Sequence, residues 1–298
     1  MRRTVGMTAA MLLITALLFP SSTFADAKEP SSTRVFSDLH SYENAVTLAN
    51  EKRSAFEGYL SDEEKLQRAK EVSEALSRVH DVASLEKIAE EYDLYIYDPN
   101  LQSQDISTLS IENDVSYTRP RIIWDNSIQW EYYNAEWTWK SIAPLSYEQG
   151  PFQNHGGVDS TGLNFSNVPV PLRLAGYWVR TYDNGGNARD YLTSRSYAPY
   201  SDGKMAILFN GQDKYITVSV PIYTWYSAEI WVYFSYRLSA AADGFVEAVY
   251  AHTWKETAVS GASFTVEGDP ENKVSGGLTI EFTINENKWV GASLPTDY

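Results

Sequence analysis

The chain has 298 residues, no cysteine and a formal net charge of −15, with 39 acidic side chains against 24 lysines and arginines. The lack of cysteine excludes disulfide frameworks, thiol nucleophiles and thiolate metal sites. The acidic balance, without any basic patch, argues against a nucleic acid partner. Aromatic residues make up 14% of the chain, including nine Trp and 21 Tyr, and such rings serve both β-sheet cores and binding interfaces.

Residues 1–25 have the organisation of a secretory signal peptide. Arg2 and Arg3 form a charged start, an apolar run follows from Met7 to Phe19, and Thr23-Phe24-Ala25 is a small-residue cleavage site. The apolar run is shorter than the roughly 20 residues that a membrane-spanning helix needs. We therefore expect cleavage after Ala25, no membrane insertion afterwards, and release as a secreted, extracellular bacterial protein.

A helical segment over residues 37–93 follows a polar spacer over residues 26–36. Apolar residues recur there at intervals of three and four, as on one face of a helix. Ser61 followed by Glu64 forms a capping box that predicts the start of a second helix, and Asp81 is the predicted cap of a third. This segment is predicted to serve as a spacer, a pro-segment or an oligomerisation element.

Residues 94–114 are predicted as a linker with a first strand, and residues 115–298 as an antiparallel β-sandwich of the immunoglobulin-like or jelly-roll-like kind. Turn dipeptides such as Asp202-Gly203, Asn210-Gly211 and Asp243-Gly244 separate the apolar runs. No helical crossover lies between these runs, so parallel pairing is not expected. The predicted strands are Arg121 to Trp124, Ile128 to Tyr133, Ala135 to Ile142, Leu172 to Tyr182, Lys204 to Phe209, Tyr215 to Ile222, Ala228 to Leu238, Val246 to Lys255, Ala262 to Glu267 and Leu278 to Ile284.

The stretch from Tyr223 to Leu238 alternates most clearly at the strand period of two. One of its faces is apolar and is predicted to face a core. The other face carries Glu229, Trp231, Tyr233 and Arg237, so either a second layer covers it or it is a surface for contact. We predict these four residues as ligand-binding.

Trp137 and Trp139 share one face of another predicted strand, because side chains two positions apart point the same way. Aligned rings of this kind can stack on sugars or bind an extended peptide. We predict both as further ligand-binding residues. The alternative is that these rings fill the space between two sheets.

A glycine-rich loop holds candidate calcium ligands. Asp183, Asn187 and Asp190 supply oxygen atoms of the type that calcium prefers, although the loop lacks the terminal bidentate Glu of an EF-hand. The alternative is an ordinary hairpin loop. No other cofactor is predicted.

The sequence alone does not define the function. We predict a secreted, non-catalytic protein that recognises an extracellular glycan, peptide or protein through the aromatic-rich sheet face. One alternative is a carboxylate-based extracellular glycan hydrolase, because Asp125, Glu131, Glu136 and Glu229 lie among aromatic residues. Another alternative is a self-associating structural or surface component, and the sequence leaves the oligomeric state open.

Overall fold

The structure is a computed structural model that describes residues 33–53, 60–101, 114–141, 154–169, 173–216, 222–241, 243–254, 257–264, 274–284 and 288–298. The predicted signal peptide lies outside the described residues. The helices are α1 (Leu39–Lys52), α2 (Asp62–Leu76) and α3 (Val82–Glu91). The strands are β1 (Val35–Phe36), β2 (Leu94–Tyr97), β3 (Val115–Tyr117), β4 (Arg121–Asp125), β5 (Trp130–Trp139), β6 (Asn154–Phe165), β7 (Leu174–Tyr182), β8 (Ala188–Leu192), β9 (Tyr200–Ser201), β10 (Lys204–Ile216), β11 (Ile222–Tyr223), β12 (Ser227–Phe234), β13 (Phe245–Thr253), β14 (Val259–Phe264), β15 (Leu278–Phe282), β16 (Lys288–Ala292) and β17 (Thr296–Asp297).

Each helix begins at the residue that its capping pattern indicates. The Asp38 carboxylate accepts a hydrogen bond from the Ser41 amide at 2.8 Å in front of α1. Ser61 and Glu64 make both hydrogen bonds of the predicted capping box in front of α2, and Asp81 caps α3. These bonds give partners to first-turn amides that have none within the helix.

Most strands belong to two sheets. Sheet 1 has the order β1-β2-β4-β5-β12-β7-β8, with β3 also paired to β5, and sheet 2 has the order β11-β10-β6-β13-β16, with β9 beside β10 and β17 beside β13. Strands β14 and β15 form a separate hairpin. The described pairs are antiparallel except for β1 with β2. The prediction of a mainly β chain preceded by a small helical segment is confirmed.

The two sheets enclose a shared apolar core. Ile230, Val232 and Phe234 of β12 face this core, as the alternation of the sequence predicts. Leu163 of β6 and Phe209 of β10 meet them from sheet 2. Removal of this apolar surface from water is the main contribution that stabilises the sandwich.

Helices α2 and α3 cover the outer face of sheet 1. Val72 and Leu76 of α2 and Leu85 of α3 form a second apolar cluster with Trp178 and Trp231 of the sheet. On the far side of the molecule, the β14–β15 hairpin contributes to a third cluster on the outer face of sheet 2. The layers are therefore helices, sheet 1, sheet 2 and a hairpin.

Strand β6 is not among the predicted strands, although it lies between β10 and β13 in sheet 2. Its sequence over Asn154–Phe165 is polar and rich in glycine, so it reads as a loop. Gly162 is required there because a Cβ would lie 1.9 Å from the carbonyl oxygen of Ile207 on β10. The buried side chains of Asp159 and Asn164 have hydrogen-bond partners on β13, which makes a polar strand tolerable inside the fold.

Two strand boundaries differ from the sequence prediction. The single strand β5 replaces two predicted strands, because Asn134 continues the ladder with β12 and β4. The Asn210-Gly211 dipeptide lies inside β10 and forms no hairpin turn. Gly211 instead makes room for a ring, since a Cβ at this position would lie 1.7 Å from Cζ2 of Trp225.

The helical segment packs directly against the strands that follow it. Residues Thr33–Tyr298 form one compact unit, and the first two strands of the chain join the edge of sheet 1. Among the described residues, no helix is both long and apolar enough to cross a membrane.

Candidate functional site

The predicted recognition face of β12 lies beneath α2. Trp231 is fully buried and stacks on Trp178 with ring centroids 5.9 Å apart. Tyr233 is also buried, and its hydroxyl donates a hydrogen bond to Oγ of Ser73 on α2 at 2.8 Å. The small residues on the inner face of α2, including Ala69, let the helix approach these rings closely. Both rings are therefore part of a packed layer and offer no surface to a ligand in this structure.

Glu229 joins α2 to sheet 1. Its carboxylate accepts hydrogen bonds from Ser77 Oγ at 2.6 Å, Trp231 Nε1 at 2.8 Å and the Tyr182 hydroxyl at 3.0 Å. Burial raises the pKa of this carboxyl, and the neighbouring charge of Glu136 raises it further. The three donors give this buried acid the partners that it needs, so its contacts are those of a structural residue.

Trp137 and Trp139 lie inside the sandwich. Trp137 stacks on Tyr250 of sheet 2 with ring centroids 3.8 Å apart, and its Nε1 donates to Thr161 Oγ1 at 2.8 Å. Trp139 packs edge-on against His252. Both rings therefore fill the space between the two sheets, which is the alternative given for them in the sequence analysis. A ligand could contact either ring only if the sheets separated.

Arg237 does not share the face of Trp231. Strand β12 ends at Phe234, so its alternation stops before Arg237 is reached. The guanidinium forms an ion pair with Glu43 of α1. The four residues predicted as one site on β12 thus separate into three covered by α2 and one bound to α1.

The predicted calcium loop is a hairpin loop closed by protein groups. Oδ1 of Asp183 accepts the amides of Gly185 and Asn187 at 2.8 and 2.9 Å, and Oδ2 pairs with the guanidinium of Arg189. Although burial opposes it, the hydrogen bonds from Asn187 and Arg189 lower the pKa of Asp183. Asp190 accepts from Nε1 of Trp225 at 2.8 Å. Among the described residues, no group of three or more His, Cys, Asp or Glu could hold a metal ion.

A row of ionisable side chains crosses the outer face of sheet 1 beside the α2–α3 turn. Glu136 on β5 is the direct cross-strand neighbour of Glu229 on β12. His80 Nε2 lies 3.5 Å from Glu136 Oε2, and Arg121 lies between His80 and Asp98, at 2.9 and 2.8 Å. Burial raises the pKa of Glu136, while burial and the charge of Arg121 lower the pKa of His80. The His80 side chain is 52% exposed, so solvent reaches this row there.

The other acids singled out in the sequence are enclosed by partners. Glu131 is fully buried and accepts four hydrogen bonds, from the Tyr133 hydroxyl, the Leu238 amide, and the amide and hydroxyl of Ser239. Burial raises the pKa of Glu131. Asp125 is likewise buried and holds Arg68 of α2 and the Tyr132 hydroxyl, each at 2.8 Å. Both acids are therefore closed off from solvent by their partners.

An open cavity of about 360 Å³ lies beside the first turn of α2. It forms between this helix, the start of β5, the start of β7 and the segment after β12. Its lining combines three apolar walls with an indole, two carboxylates and a hydroxyl. The lining residues are Leu66, Leu174, Ala175, Trp130, Asp62, Glu63 and Ser235.

The polar groups of this cavity have unused hydrogen-bonding capacity. Trp130 is only 5% exposed, and its Nε1 donor makes no hydrogen bond to the part of the chain that the structure describes. Asp62 and Glu63 are exposed and form no ion pair within that same part. Ser235 donates to the Arg173 carbonyl at 3.3 Å, which leaves its oxygen able to accept. The cavity therefore offers one donor, several acceptors and an apolar floor.

No family model, curated protein or solved structure matches this chain. Among the described residues, the row that ends at His80 and the cavity at Trp130 each combine polar groups with access from solvent. The described residues around Trp130 leave space of molecular size beside their polar groups.

The sequence indicates that the region around Trp130 is unusual, but it gives no sign of the cavity there. The density of aromatic residues near Trp130 marks the region as important. Leu66, Leu174 and Ser235, however, come from segments more than 60 positions apart. Only the packing of α2 onto sheet 1 brings these segments together, and no local pattern encodes that docking.

Proposed function

We propose that this chain is a secreted, non-catalytic binding protein that recognises an extracellular glycan, with the cavity at Trp130 as its binding site. The observation that carries the proposal is the lining of this cavity, where apolar walls lie beside an indole donor and two carboxylates that have no hydrogen-bond or ion-pair partner among the described residues. Binding pockets typically combine apolar walls with a few polar groups of this kind. The site differs from the β12 face that the sequence favoured.

A sugar suits this mixture of groups better than a purely apolar ligand does. Sugar hydroxyls both donate and accept, so they can accept from Trp130 Nε1 and donate to Asp62 or Glu63. The C–H faces of a sugar ring can rest on Leu66 and Leu174, which lie in the same lining. A volume of about 360 Å³ fits a short saccharide segment and excludes a folded domain.

A non-catalytic role is supported by the state of the buried acids. Asp125, Glu131 and Glu229 are each held by several donors that fasten helices or loops to sheet 1. Hydrolysis of a glycosidic bond needs two carboxyl groups on either side of that bond. Asp62 and Glu63 are adjacent on the surface of one helix and do not face each other across the cavity.

The proposal is tested by titration of the mature protein with a panel of oligosaccharides, followed by tryptophan fluorescence and calorimetry. We expect saturable binding for at least one saccharide, and at least a tenfold loss of affinity in Trp130→Phe, which removes the indole donor. Tyr191→Phe serves as the matched control because Tyr191 is an exposed ring outside the cavity lining. If no saccharide in the panel binds, or if Trp130→Phe binds like the unsubstituted protein, the proposal is wrong.

A second candidate, a carboxylate-based glycan hydrolase, is favoured by one observation. Glu136 and Glu229 are cross-strand neighbours, and Oε1 of Glu136 is buried without a hydrogen-bond partner among the described residues. Directly opposed carboxyls of this kind suit a retaining mechanism. Release of reducing ends from polysaccharide that is lost in both Glu136→Gln and Glu229→Gln, with thermal stability retained, would establish catalysis and overturn the non-catalytic proposal.

A further inference from the structure

We infer that α1 is a movable cover of sheet 1, which detaches by local unfolding while the two sheets, α2 and α3 stay folded. Detachment exposes aromatic side chains of β2 and β4, so the helix controls access to them. Helix α1 contributes no residue to the lining of the cavity at Trp130, and the inference does not depend on the proposed function.

Helix α1 lies along β4, on the face of sheet 1 opposite to α2 and α3. Near its start, the Tyr42 ring contacts Tyr97 of β2 with ring centroids 6.1 Å apart. Directly after its end, Arg53 donates to the Ser127 carbonyl at 3.1 Å, just beyond the end of β4. Trp124 of β4 lies between these two contacts and belongs to the same apolar cluster as Tyr42. The helix therefore covers Tyr97 and Trp124.

Apolar packing holds α1 less firmly than it holds α2. Within α1, Tyr42 and Val46 are the buried side chains, and Leu48 is 54% exposed. Helix α2 is of similar length and buries four side chains against the other face of the sheet, namely Ala69, Val72, Ser73 and Leu76. Because apolar stabilisation grows with the buried area, packing opposes the detachment of α1 less strongly.

Several polar atoms are buried at the α1 interface without a hydrogen-bond partner in the described part of the chain. They are Oη of Tyr42, Oε1 of Glu43 and Oδ1 of Asn50 on the helix, and Nε1 of Trp124 beneath it. Burial raises the pKa of Tyr42 and the charge of Glu131 raises it further, so the hydroxyl stays protonated. Glu131 already accepts hydrogen bonds from four other donors. Each unpartnered atom has lost hydrogen bonds to water that detachment restores, which favours the detached state.

The polar contacts of α2 are better satisfied. Arg68 of α2 pairs with Asp125 of sheet 1 at 2.8 Å. Among the described residues, neither α2 nor α3 carries a buried side-chain atom without a hydrogen-bond partner. The ion pair of α1, between Glu43 and Arg237, joins two partly exposed side chains, so solvent weakens it. Helix α1 is therefore the helix that detaches first.

Native-state hydrogen exchange tests the inference, because it reports the opening of each helix separately. In the unsubstituted protein we expect the central amides of α1 to exchange at least about tenfold faster than those of α2. Exchange in α1 should depend only weakly on urea, since local opening exposes little surface. Equal rates in the two helices, or a urea dependence in α1 as steep as that of global unfolding, would overturn the inference.

The decisive variant is Ser73→Ala, which removes a hydrogen-bond acceptor between α2 and sheet 1. If α1 detaches alone, the contact of Ser73 is present in both the closed and the detached state. The variant should then leave exchange in α1 unchanged while exchange in α2 becomes about fivefold faster or more. Equal acceleration in both helices would mean that they open together, and the inference would be wrong.

Asn50→Leu tests whether the unpartnered atoms favour detachment. It replaces a buried acceptor by an apolar side chain of similar size, so exchange in α1 should become about fivefold slower. The matched control is Asn44→Leu, which makes the same change on the exposed side of the same helix and should slow exchange by less than about twofold. An unchanged rate in Asn50→Leu, or equal slowing in Asn44→Leu, overturns the inference.

Discussion

Glu247 is a single buried carboxyl that makes the stability of the protein depend on pH. It lies on β13, accepts a hydrogen bond from Asn164 at 2.8 Å, and burial raises its pKa from 4.5 to about 7. Glu247 ionises near pH 4.5 in the unfolded chain but only near pH 7 in the folded protein. The free energy of unfolding therefore falls as pH rises from 4.5 to 7, and it stays at the lower value above pH 7. A shift of this size corresponds to about 3 kcal/mol.

Glu247→Gln should remove this contribution, because the amide does not ionise. We expect the unsubstituted protein to lose about 2.5 kcal/mol more stability between pH 5 and pH 8 than Glu247→Gln does. Urea unfolding at the two pH values measures the difference. Glu90→Gln, which changes an exposed glutamate, should retain the pH dependence of the unsubstituted protein, and an identical dependence in Glu247→Gln would contradict the prediction.

Gly211 shows how one missing side chain shapes the packing of a larger one. A Cβ at this position would lie 1.7 Å from Cζ2 of the fully buried Trp225. Gly211→Ala should therefore force the indole to move and cost about 1–3 kcal/mol of stability. Gly185→Ala, where a Cβ would meet only side-chain atoms at 3.1 Å or more, should cost less than half as much. Thermal unfolding of both variants compares them, and equal losses would show that Trp225 does not depend on Gly211.

At the scale of elements, Ser73 is one of the polar contacts between α2 and the aromatic face of sheet 1. Its Oγ lies 3.2 Å from Trp178 Nε1 and 2.8 Å from the Tyr233 hydroxyl. Ser73→Ala should cost about 1–2 kcal/mol, because it removes an acceptor from buried donors. Ser41→Ala, on the exposed side of α1, should change stability by less than about 0.5 kcal/mol. Urea unfolding measures both, and a neutral Ser73→Ala would mean that the Ser73 contact adds nothing to the other contacts that hold α2 on sheet 1.

The sequence predicted those elements that local chemistry determines. The caps at Ser61 and Asp81 and the alternation of β12 depend on neighbours only a few positions away, so they could be read directly. The strand β6 could not be read, because its polar side chains are satisfied by partners about 90 positions later, such as His252 beside Asp159. The sequence also could not show whether a helix or a ligand covers the aromatic face of β12. The small residues on the inner face of α2, which let this helix pack there, are only a weak sequence signal.

At the scale of the whole molecule, the carboxyl groups with shifted pKa values divide by the groups that surround them. Five carboxyl groups that lie within or between the layers have pKa values raised chiefly by burial. Four carboxyl groups at helix starts or in the β7–β8 loop have lowered pKa values, through hydrogen bonds from neighbouring groups. The buried set is Asp125, Glu131, Glu136, Glu229 and Glu247. The second set, called the outer acids, is the exposed Asp38, Glu64 and Asp81 together with Asp183 of the β7–β8 loop, which is buried among its own hydrogen-bond donors.

These two sets act on stability in opposite directions and together predict a maximum near pH 5. The buried acids stabilise the fold below their ordinary pKa, and this contribution is lost as pH rises through their raised values. The outer acids stabilise it above their ordinary pKa, and that contribution is lost as pH falls through their lowered values. His80, whose pKa is lowered, adds a further loss below about pH 6.5. Urea unfolding from pH 4 to pH 9 should therefore give the largest free energy of unfolding near pH 5, with a decline toward both ends. A free energy that rises steadily to pH 8 would show that the buried carboxyls are ionised in the folded protein, with the Arg68 ion pair and the donors around Glu131 and Glu229 outweighing the cost of burial.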